Sequence, residues 1–293
     1  QVRRVLQCDQ AQPRAACQVQ YRYVPYVLRV LPAPRVFGQM ALAHALVAAG
    51  GSRAVAVNIV APEDNPVAVA DYARHMAMFR FFAQRYPGVP LSLHAGELTL
   101  GLVPPAQLRS HIRQAVDAGA RRIGHGVDLP YEDDAQELLQ RMRRDQVAVE
   151  INLTSNDVIL GVTGAAHPLA MYLRAGVPVV LSTDDAGVSR ADMTHEYQRA
   201  VQEQGIEYPT LKQLARNGLT YSFLPGASLW SANGKAAQAC ATALQRETDD
   251  AGCQAFRQSS EKARLQWQLE TDLAQYERML MEQRKVQTTP ADA

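Results

Sequence analysis

The sequence predicts a parallel α/β fold of the (β/α)₈ barrel type. From about residue 20 to 190, short apolar runs alternate with amphipathic stretches, several of which end at a glycine. Apolar strands that alternate with helices are typical of a parallel sheet covered by helices. Polar side chains follow one strand after another, and in a barrel these strand ends meet at a single mouth. The alternative is an open doubly wound sheet, but neither of its glycine-rich phosphate-loop motifs occurs here.

The predicted elements fill most of such a barrel. The strands cover residues 26–31, 54–60, 90–94, 122–127, 147–153 and 178–183. The helices between them cover residues 36–50, 65–88, 104–119, 131–144 and 167–176. Because a barrel of this type has eight strands, about two βα units are missing, and we expect them before Gln1. The chain also begins without a methionine or a leader pattern, so we expect a processed product or a fragment.

The C-terminal part of the chain reads as helical. We expect residues 1–235 to form the barrel domain and residues 236–293 to form a helical extension packed on it. Residues 261–284 predict a long charged helix, because apolar side chains recur there at helical spacing. These apolar side chains are Leu265, Leu269, Leu273 and Tyr276.

Composition excludes several classes of protein. Hydrophobic residues make up 47% of the 293 residues and charged residues 20%, which is typical of a folded globular chain. The 30 basic and 29 acidic residues are interspersed, so no basic surface for nucleic acid is expected. No apolar run approaches the roughly 20 residues that span a bilayer, so no membrane partner is expected. The oligomeric state stays open.

The four cysteines fall into two local pairs, Cys8 with Cys17 and Cys240 with Cys253. This arrangement favours two loop-closing disulfides and an oxidising compartment, periplasmic or extracellular. Four unrelated thiols in a cytoplasmic protein are the alternative. Neither pair has the C-x-x-C spacing of a zinc knuckle or a redox motif.

Histidines and aspartates at strand ends are the candidate functional residues. Four of the seven histidines lie in helical or loop sequence, and we interpret them as structural or surface residues. They are His44, His75, His111 and His195. His167 precedes a proline at a predicted helix start, where capping is expected. By contrast, His94, His125, Asp184 and Asp185 all lie at the C-terminal ends of predicted strands, where barrel active sites lie.

These residue types suit hydrolysis at an unactivated ring carbon. A bound zinc lowers the pKa of water to about 7 and prefers imidazole and carboxylate ligands, here His94 and Asp184. Glu97 follows His94 after one tight turn and would shuttle a proton, while His125 would orient the activated water. The neighbouring carboxylates Asp184 and Asp185 destabilise each other in a closed pocket, which also favours a bound cation.

Five motifs occur in order along the chain: SLHAGE, RIGHGVDL, NLTSN, LSTDDAGV and GLTYSFLPG. Together they resemble the adenosine/AMP deaminase family of metal-dependent barrel hydrolases, over roughly residues 20–230. The two cysteine pairs and the stretch VNIVAPED are similar to the extracellular branch of adenosine-deaminase-related growth factors.

The resemblance implies an activity and roles for individual residues. The activity would be zinc-dependent deamination of adenosine, or of a close 6-aminopurine nucleoside, to inosine and ammonia. One zinc per chain would be bound by His94 and Asp184, and Glu97 would protonate the purine ring nitrogen. His125 and Asp185 would orient the activated water, and Asp185 and Ala61 would contact the base.

Three departures from the family pattern leave alternatives open. The H-x-H pair, which supplies two further zinc ligands in the family, occurs nowhere in this sequence, and we expect it upstream of Gln1. Ala61 stands where the family has a glycine, and Asn152-Leu153 stands where Cys-Pro is common. The alternatives are a deaminase of AMP, adenine or N6-substituted adenine, with Arg174 and Arg190 as phosphate candidates, or a non-catalytic nucleoside-binding or signalling relative without metal.

Overall fold

Six parallel strands form the centre of the protein. The computed structural model describes residues 2–12, 14–51, 53–231, 234–246 and 248–288. The strands within them are β1 (Tyr26–Leu28), β2 (Asn58–Val60), β3 (Leu91–Ala95), β4 (Ala120–His125), β5 (Ala148–Ile151) and β6 (Val179–Leu181). All six predicted strands are confirmed, and most of them are shorter than the apolar run that predicted them.

The strands pair in chain order. β1 pairs with β2, and β3, β4, β5 and β6 form a four-stranded sheet. A parallel bridge between Val57 and Leu91 links β2 to β3, and the N–H of Ser92 donates to Val57 O at 3.0 Å. The predicted parallel sheet is therefore confirmed. Among the described residues β1 and β6 do not pair, because six strands are too few to close a ring that needs eight.

Helices cover the sheet and lead each strand into the next. They are α1 (Val2–Val5), α2 (Ala33–Ala48), α3 (Pro66–Arg85), α4 (His111–Asp117), α5 (Ala135–Asp145), α6 (Leu153–Leu160), α7 (Leu169–Ala175), α8 (Ala186–Ser189), α9 (Met193–Gln202), α10 (Tyr208–Thr220), α11 (Ala241–Arg246), α12 (Ala251–Ser259) and α13 (Glu261–Thr288). One apolar core runs beneath them, from Val27 on β1 to Leu214 on α10. Its strand residues are fully buried, as expected for strands covered on their faces.

One predicted helix is wrong in its extent. Residues 104–119 form a short 3₁₀ turn (Pro105–Leu108) and then α4, rather than one helix. The break lies at Ser110, whose φ of −156° is extended and cannot continue a helix. The N–H groups that begin α4 are instead capped by a carboxylate from another loop, Glu132, which accepts from Ile112 and Arg113.

The C-terminal helices form a second, smaller cluster. Its buried residues are Leu229, Cys240, Ala243, Cys253 and Ala263. The long helix predicted from residue 261 is confirmed as α13, which packs on α10 and α12. Residues 289–293 of the predicted extension lie outside the described residues, and the division of the chain at residue 235 stays a prediction. No described helix combines the length and the apolar character that crossing a membrane requires.

Two disulfides are present, as the cysteine spacing predicts. Cys8 bonds to Cys17 and Cys240 bonds to Cys253. The second bond joins the start of α11 to α12 inside the C-terminal cluster, where both sulfur-bearing residues are fully buried. Because this cluster holds few buried apolar residues, the covalent link contributes a large share of its stability.

We expect the double substitution Cys240→Ser/Cys253→Ser to loosen the C-terminal helices. The lost disulfide joins residues that are 13 positions apart in sequence. A disulfide that closes a loop of this size stabilises the folded state by about 3 kcal/mol. Limited proteolysis should then cut within residues 236–288 faster than in the unmodified protein. The matched control is Cys8→Ser/Cys17→Ser, which removes a disulfide elsewhere; equal cleavage of the C-terminal helices in both variants would contradict this account.

Candidate active site

The ends of β3, β4 and β6 bring two imidazoles and a carboxylate together. In the parallel register His94 lies beside Gly124, and Ala95 lies beside His125. Asp184 follows β6 by three residues. Nε2 of His94 lies 3.8 Å from one Asp184 carboxylate oxygen, and Nε2 of His125 lies 3.7 Å from the other. The structure thus joins three of the predicted residues in one group.

Asn58 orients the His94 ring. The amide of Asn58 lies 3.1–3.2 Å from Nδ1 of His94, and its Oδ1 also accepts the backbone N–H of His94 at 3.1 Å. With Nδ1 engaged in this way, Nε2 is the ring nitrogen that faces Asp184. Metal-binding histidines generally have their second nitrogen hydrogen-bonded like this. Sequence analysis missed Asn58 because it lies inside a predicted strand, where an amide carries no signal of its own.

His125, the last residue of β4, has an unusual backbone conformation. His125 has φ of +70°, in the left-handed region that L-residues rarely adopt. Its neighbour Gly124 lies under the His94 ring, where a Cβ atom would come within 3.0 Å of Nδ1. Glycine at this position therefore allows the two imidazoles to approach, with ring centroids 4.8 Å apart.

A chain of polar side chains supports His125 from behind. The side-chain amide of Asn156 lies 2.8 Å from Nδ1 of His125 on one side and 2.8 Å from Nε2 of His167 on the other. Nδ1 of His167 in turn accepts the N–H of Leu169 at the start of α7, so the predicted capping role is confirmed. Burial lowers the pKa of His167 to about 4, which keeps this ring neutral.

Asp184 is held as an anion. Burial acts to raise its pKa, but the His94 imidazole, the charge of His125 and the Ser155 hydroxyl outweigh burial and hold the pKa at about 2. Oγ of Ser155 donates to Oδ2 of Asp184 at 2.8 Å. Asp184 itself has φ of +50°. Strained backbone of this kind at His125 and Asp184 is typical of sites that must hold a fixed geometry.

Glu97 reaches the same group through a sharp turn. Gly96, with φ of +76°, reverses the chain after β3, and a Cβ atom there would collide with Asp128 and Ile112. Oε1 of Glu97 lies 3.7 Å from Nε2 of His125. Burial raises the pKa of Glu97, so its carboxyl group retains a proton to a higher pH than an exposed glutamate.

His94, Glu97 and Asp184 line a cavity of about 600 Å³, and His125 is fully buried against them. The cavity walls combine apolar side chains, such as Leu28, Leu102 and Ile159, with carboxylates. The carboxylates are those of Glu63, Asp64, Glu97, Asp184 and Asp185. No lysine or arginine belongs to this wall in the part of the chain that the structure describes. The size is typical of small-molecule sites.

The two remaining predicted site residues lie on the cavity wall. Ala61 lines the cavity with φ of +83°, so this alanine adopts a backbone that suits glycine. Asp185 also lines the cavity, but it is exposed and is not part of the His94–His125–Asp184 group. The phosphate candidates Arg174 and Arg190 are not among its lining residues.

A somewhat larger hollow of about 730 Å³ lies elsewhere, near the ends of α5 and α7. Arg143 and Arg144 line it together with glutamines and glycines, and its described lining includes no histidine or carboxylate. Its described lining therefore offers no acid, base or metal-ligand set. The candidate catalytic and metal-binding residues are those at the strand ends.

The donor atoms of His94, His125 and Asp184 fit a divalent metal ion. They all lie within 4.8 Å of one another. Ligands about 2.0–2.2 Å from a zinc ion are separated by about 3–4 Å, and imidazole with carboxylate is a donor set that zinc accepts. The site thus has the chemistry and nearly the spacing of a metal centre.

Comparison with known proteins agrees with this geometry. A family model described as adenosine deaminase matches residues 5–229. An adenosine deaminase from Shewanella loihica is 36% identical over 141 residues, which are 48% of this chain and 40% of that protein. The chain thus spans less than half the length of the curated relatives it matches.

Two solved structures share the fold. An N6-mAMP deaminase from Arabidopsis has a TM-score of 0.55 at 22% identity, covering 70% of this chain and 55% of that chain. An amidohydrolase from Burkholderia ambifaria with bound zinc has a TM-score of 0.53 at 16% identity, covering 83% of this chain and 59% of that one. The predicted barrel fold class is confirmed by these likenesses. Because the family model matches well over half of its residues, the chain belongs to the adenosine deaminase family.

Proposed function

We propose that the protein is a zinc-dependent aminohydrolase that converts adenosine, or a close 6-aminopurine nucleoside, to inosine and ammonia. One observation carries this proposal: His94, Glu97 and Asp184 line a single cavity large enough for a nucleoside, and His125 lies within 3.7 Å of Glu97 and Asp184. Family membership supports the same reaction.

His94 and Asp184 are the residues that would hold the zinc ion. When bound, the ion supplies Lewis-acid activation of water at neutral pH. Asn58 keeps Nε2 of His94 turned toward Asp184, and Ser155 keeps the Asp184 carboxylate in place. The low pKa of Asp184 leaves it charged, which is the form in which a carboxylate binds a metal.

Glu97 is the proposed acid. Its raised pKa favours the protonated form, which can donate to the purine ring nitrogen beside the carbon under attack. His125 would orient the attacking water, because its Nε2 lies 3.7 Å from a carboxylate oxygen of Glu97 and 3.7 Å from one of Asp184. Asp185 and the backbone N–H of Ala61, both on the cavity wall, would contact the base.

The charge of the cavity wall favours a nucleoside over a nucleotide. Asp64 and Asp185 are exposed carboxylates on this wall, and its described residues include no lysine or arginine. A phosphate group would meet repulsion there with no basic side chain to offset it, whereas a neutral ribose meets no such penalty. This supports adenosine over AMP and over the N6-methyl-AMP named for the Arabidopsis enzyme.

The two disulfides support a location in an oxidising compartment. We therefore place the proposed activity outside the cytoplasm, in the periplasm or the extracellular space. There the substrate would be a free purine nucleoside rather than a nucleic acid.

We expect Glu97→Gln to lower kcat for adenosine by at least about 100-fold, because an amide cannot donate the acidic proton. KM and zinc content should stay close to the wild-type values, since the side chain keeps its shape. The rate of ammonia release by the full-length gene product measures the effect. Glu137→Gln, at an exposed ion pair with Arg113, is the control; an unchanged rate in Glu97→Gln would refute the assigned role.

We also expect kcat/KM for adenosine to exceed that for AMP by about tenfold or more at low ionic strength. The difference should shrink when salt is added, because screening weakens the repulsion between phosphate and the carboxylates. Steady-state assays of both substrates between about 0.01 and 0.5 M salt check this. Equal or better turnover of AMP would show that the cavity is not selective through its charge.

A further inference from the structure

A fully buried ion pair lies directly beneath the turn that carries His94 and Glu97. Arg29 follows β1 and Glu63 follows β2, and both side chains are almost completely excluded from solvent. The guanidinium of Arg29 lies 3.4 Å from Oε2 of Glu63. Burying two charges is unfavourable unless each is paired and hydrogen-bonded, so their remaining partners matter.

The partners are the backbone groups of the turn itself. Oε1 of Glu63 accepts the N–H of Gly96 at 3.1 Å, and Oε2 accepts the N–H of Glu97 at 2.9 Å. Arg29 donates to the carbonyl of His94 at 2.7 Å and to that of Ile59 at 3.1 Å. The pair therefore holds both ends of the segment from His94 to Glu97.

The turn needs such partners because its backbone has left the sheet. β3 ends at Ala95, so the N–H groups of Gly96 and Glu97 have no strand to pair with. An N–H group left unpaired in such a buried place destabilises the fold. The Glu63 carboxylate satisfies both, and it thereby fixes the direction in which the Glu97 side chain leaves the strand.

His111 keeps Glu63 in place from the other side. Its Nδ1 lies 2.6 Å from Oε1 of Glu63, and its ring stacks on Tyr72 with centroids 3.6 Å apart. Burial acts to raise the pKa of Glu63, but Arg29 and His111 overcome it and hold the pKa at about 2. His111, interpreted from sequence as structural, therefore anchors the carboxylate that shapes the site.

We propose that Glu63, held by Arg29 and His111, is the positioning residue for Glu97. Its hydrogen bonds and ion pairs are with the backbone N–H groups of Gly96 and Glu97 and with the side chains of Arg29 and His111. It acts by holding the Gly96–Glu97 peptide, so that the acid stands at a fixed place relative to His94. This inference rests on the proposed function for its catalytic consequence, but the positioning itself is a property of the fold.

The chain offers a matched control. Glu132 is also a buried carboxylate that accepts two consecutive backbone N–H groups, those of Ile112 and Arg113 at 2.5 and 3.3 Å. It caps α4 and does not line the cavity. Glu63→Gln and Glu132→Gln each replace a buried carboxylate that caps backbone N–H groups, but Glu63 uses both oxygens for this whereas Glu132 uses Oε1 alone.

The first readout is amide hydrogen exchange of Gly96 and Glu97, followed by NMR in the full-length gene product. Glu63→Gln should speed exchange by about tenfold or more at one of the two amides at least, because glutamine has one acceptor oxygen in place of two. Glu132→Gln should leave these two amides unchanged. Equal exchange in the wild type and Glu63→Gln would overturn the proposal.

The second readout is steady-state kinetics with adenosine. Glu63→Gln should lower kcat by about 10- to 100-fold with KM within about threefold, as expected for a displaced acid. Glu132→Gln should keep the wild-type kcat. Equal kcat losses in both variants would mean a merely structural role and would also overturn the proposal.

A third variant covers the case in which Glu63→Gln does not fold. Glu63→Asp keeps the charge opposite Arg29 and His111 but is one methylene too short to reach both N–H groups. It should show the same loss in kcat and the same faster exchange. If the wild type deaminates no purine at all, the proposed function fails, whereas exchange at Gly96 and Glu97 still decides the positioning.

Discussion

The parallel register between β3 and β4 is the constraint on which the site depends. It sets Ala95 beside His125, so two histidines from separate parts of the chain leave the sheet at the same edge. Asp184, which follows β6, lies at the same edge, and the turn after β3 places Glu97 there as well. A slip of one residue would turn these side chains to the other face of the sheet. The reactive groups are therefore positioned by the strands, and the loops add only short, strained turns.

The surroundings of Glu97 and Asp184 shift the pKa values of these two carboxyl groups in opposite directions. Glu97 has a raised pKa because burial dominates there, whereas Asp184 is held at a pKa of about 2 by imidazoles and a hydroxyl. Such a division is what lets one carboxyl group hold a proton while another remains an anionic ligand. Beneath them, Glu63 stays charged because it is fully paired, and its charge is used to hold backbone rather than to react.

The sequence predicted the residues that follow strands but not those that support them. His94, Glu97, His125 and Asp184 could be found because each reactive side chain follows an apolar run. Asn58, Asn156 and Arg29 could not, since an amide or a cation beside a strand has no pattern that reveals its partner. The prediction of a single helix over residues 104–119 was wrong for a related reason. The chain breaks at Ser110, and the helix that follows is capped by Glu132, a residue distant in sequence. Most of the features that sequence analysis missed thus depend on hydrogen bonds between residues distant in sequence.

Zinc content of the full-length gene product tests the central claim most directly. Elemental analysis should find about one tightly held zinc per chain in the wild type and in Asp185→Asn, whose carboxylate lies outside the group. Asp184→Asn and His94→Gln should lose the metal, because each removes a proposed ligand. Wild-type zinc content in Asp184→Asn, or a wild type that binds no zinc, would contradict the claim that these strand ends form a metal centre.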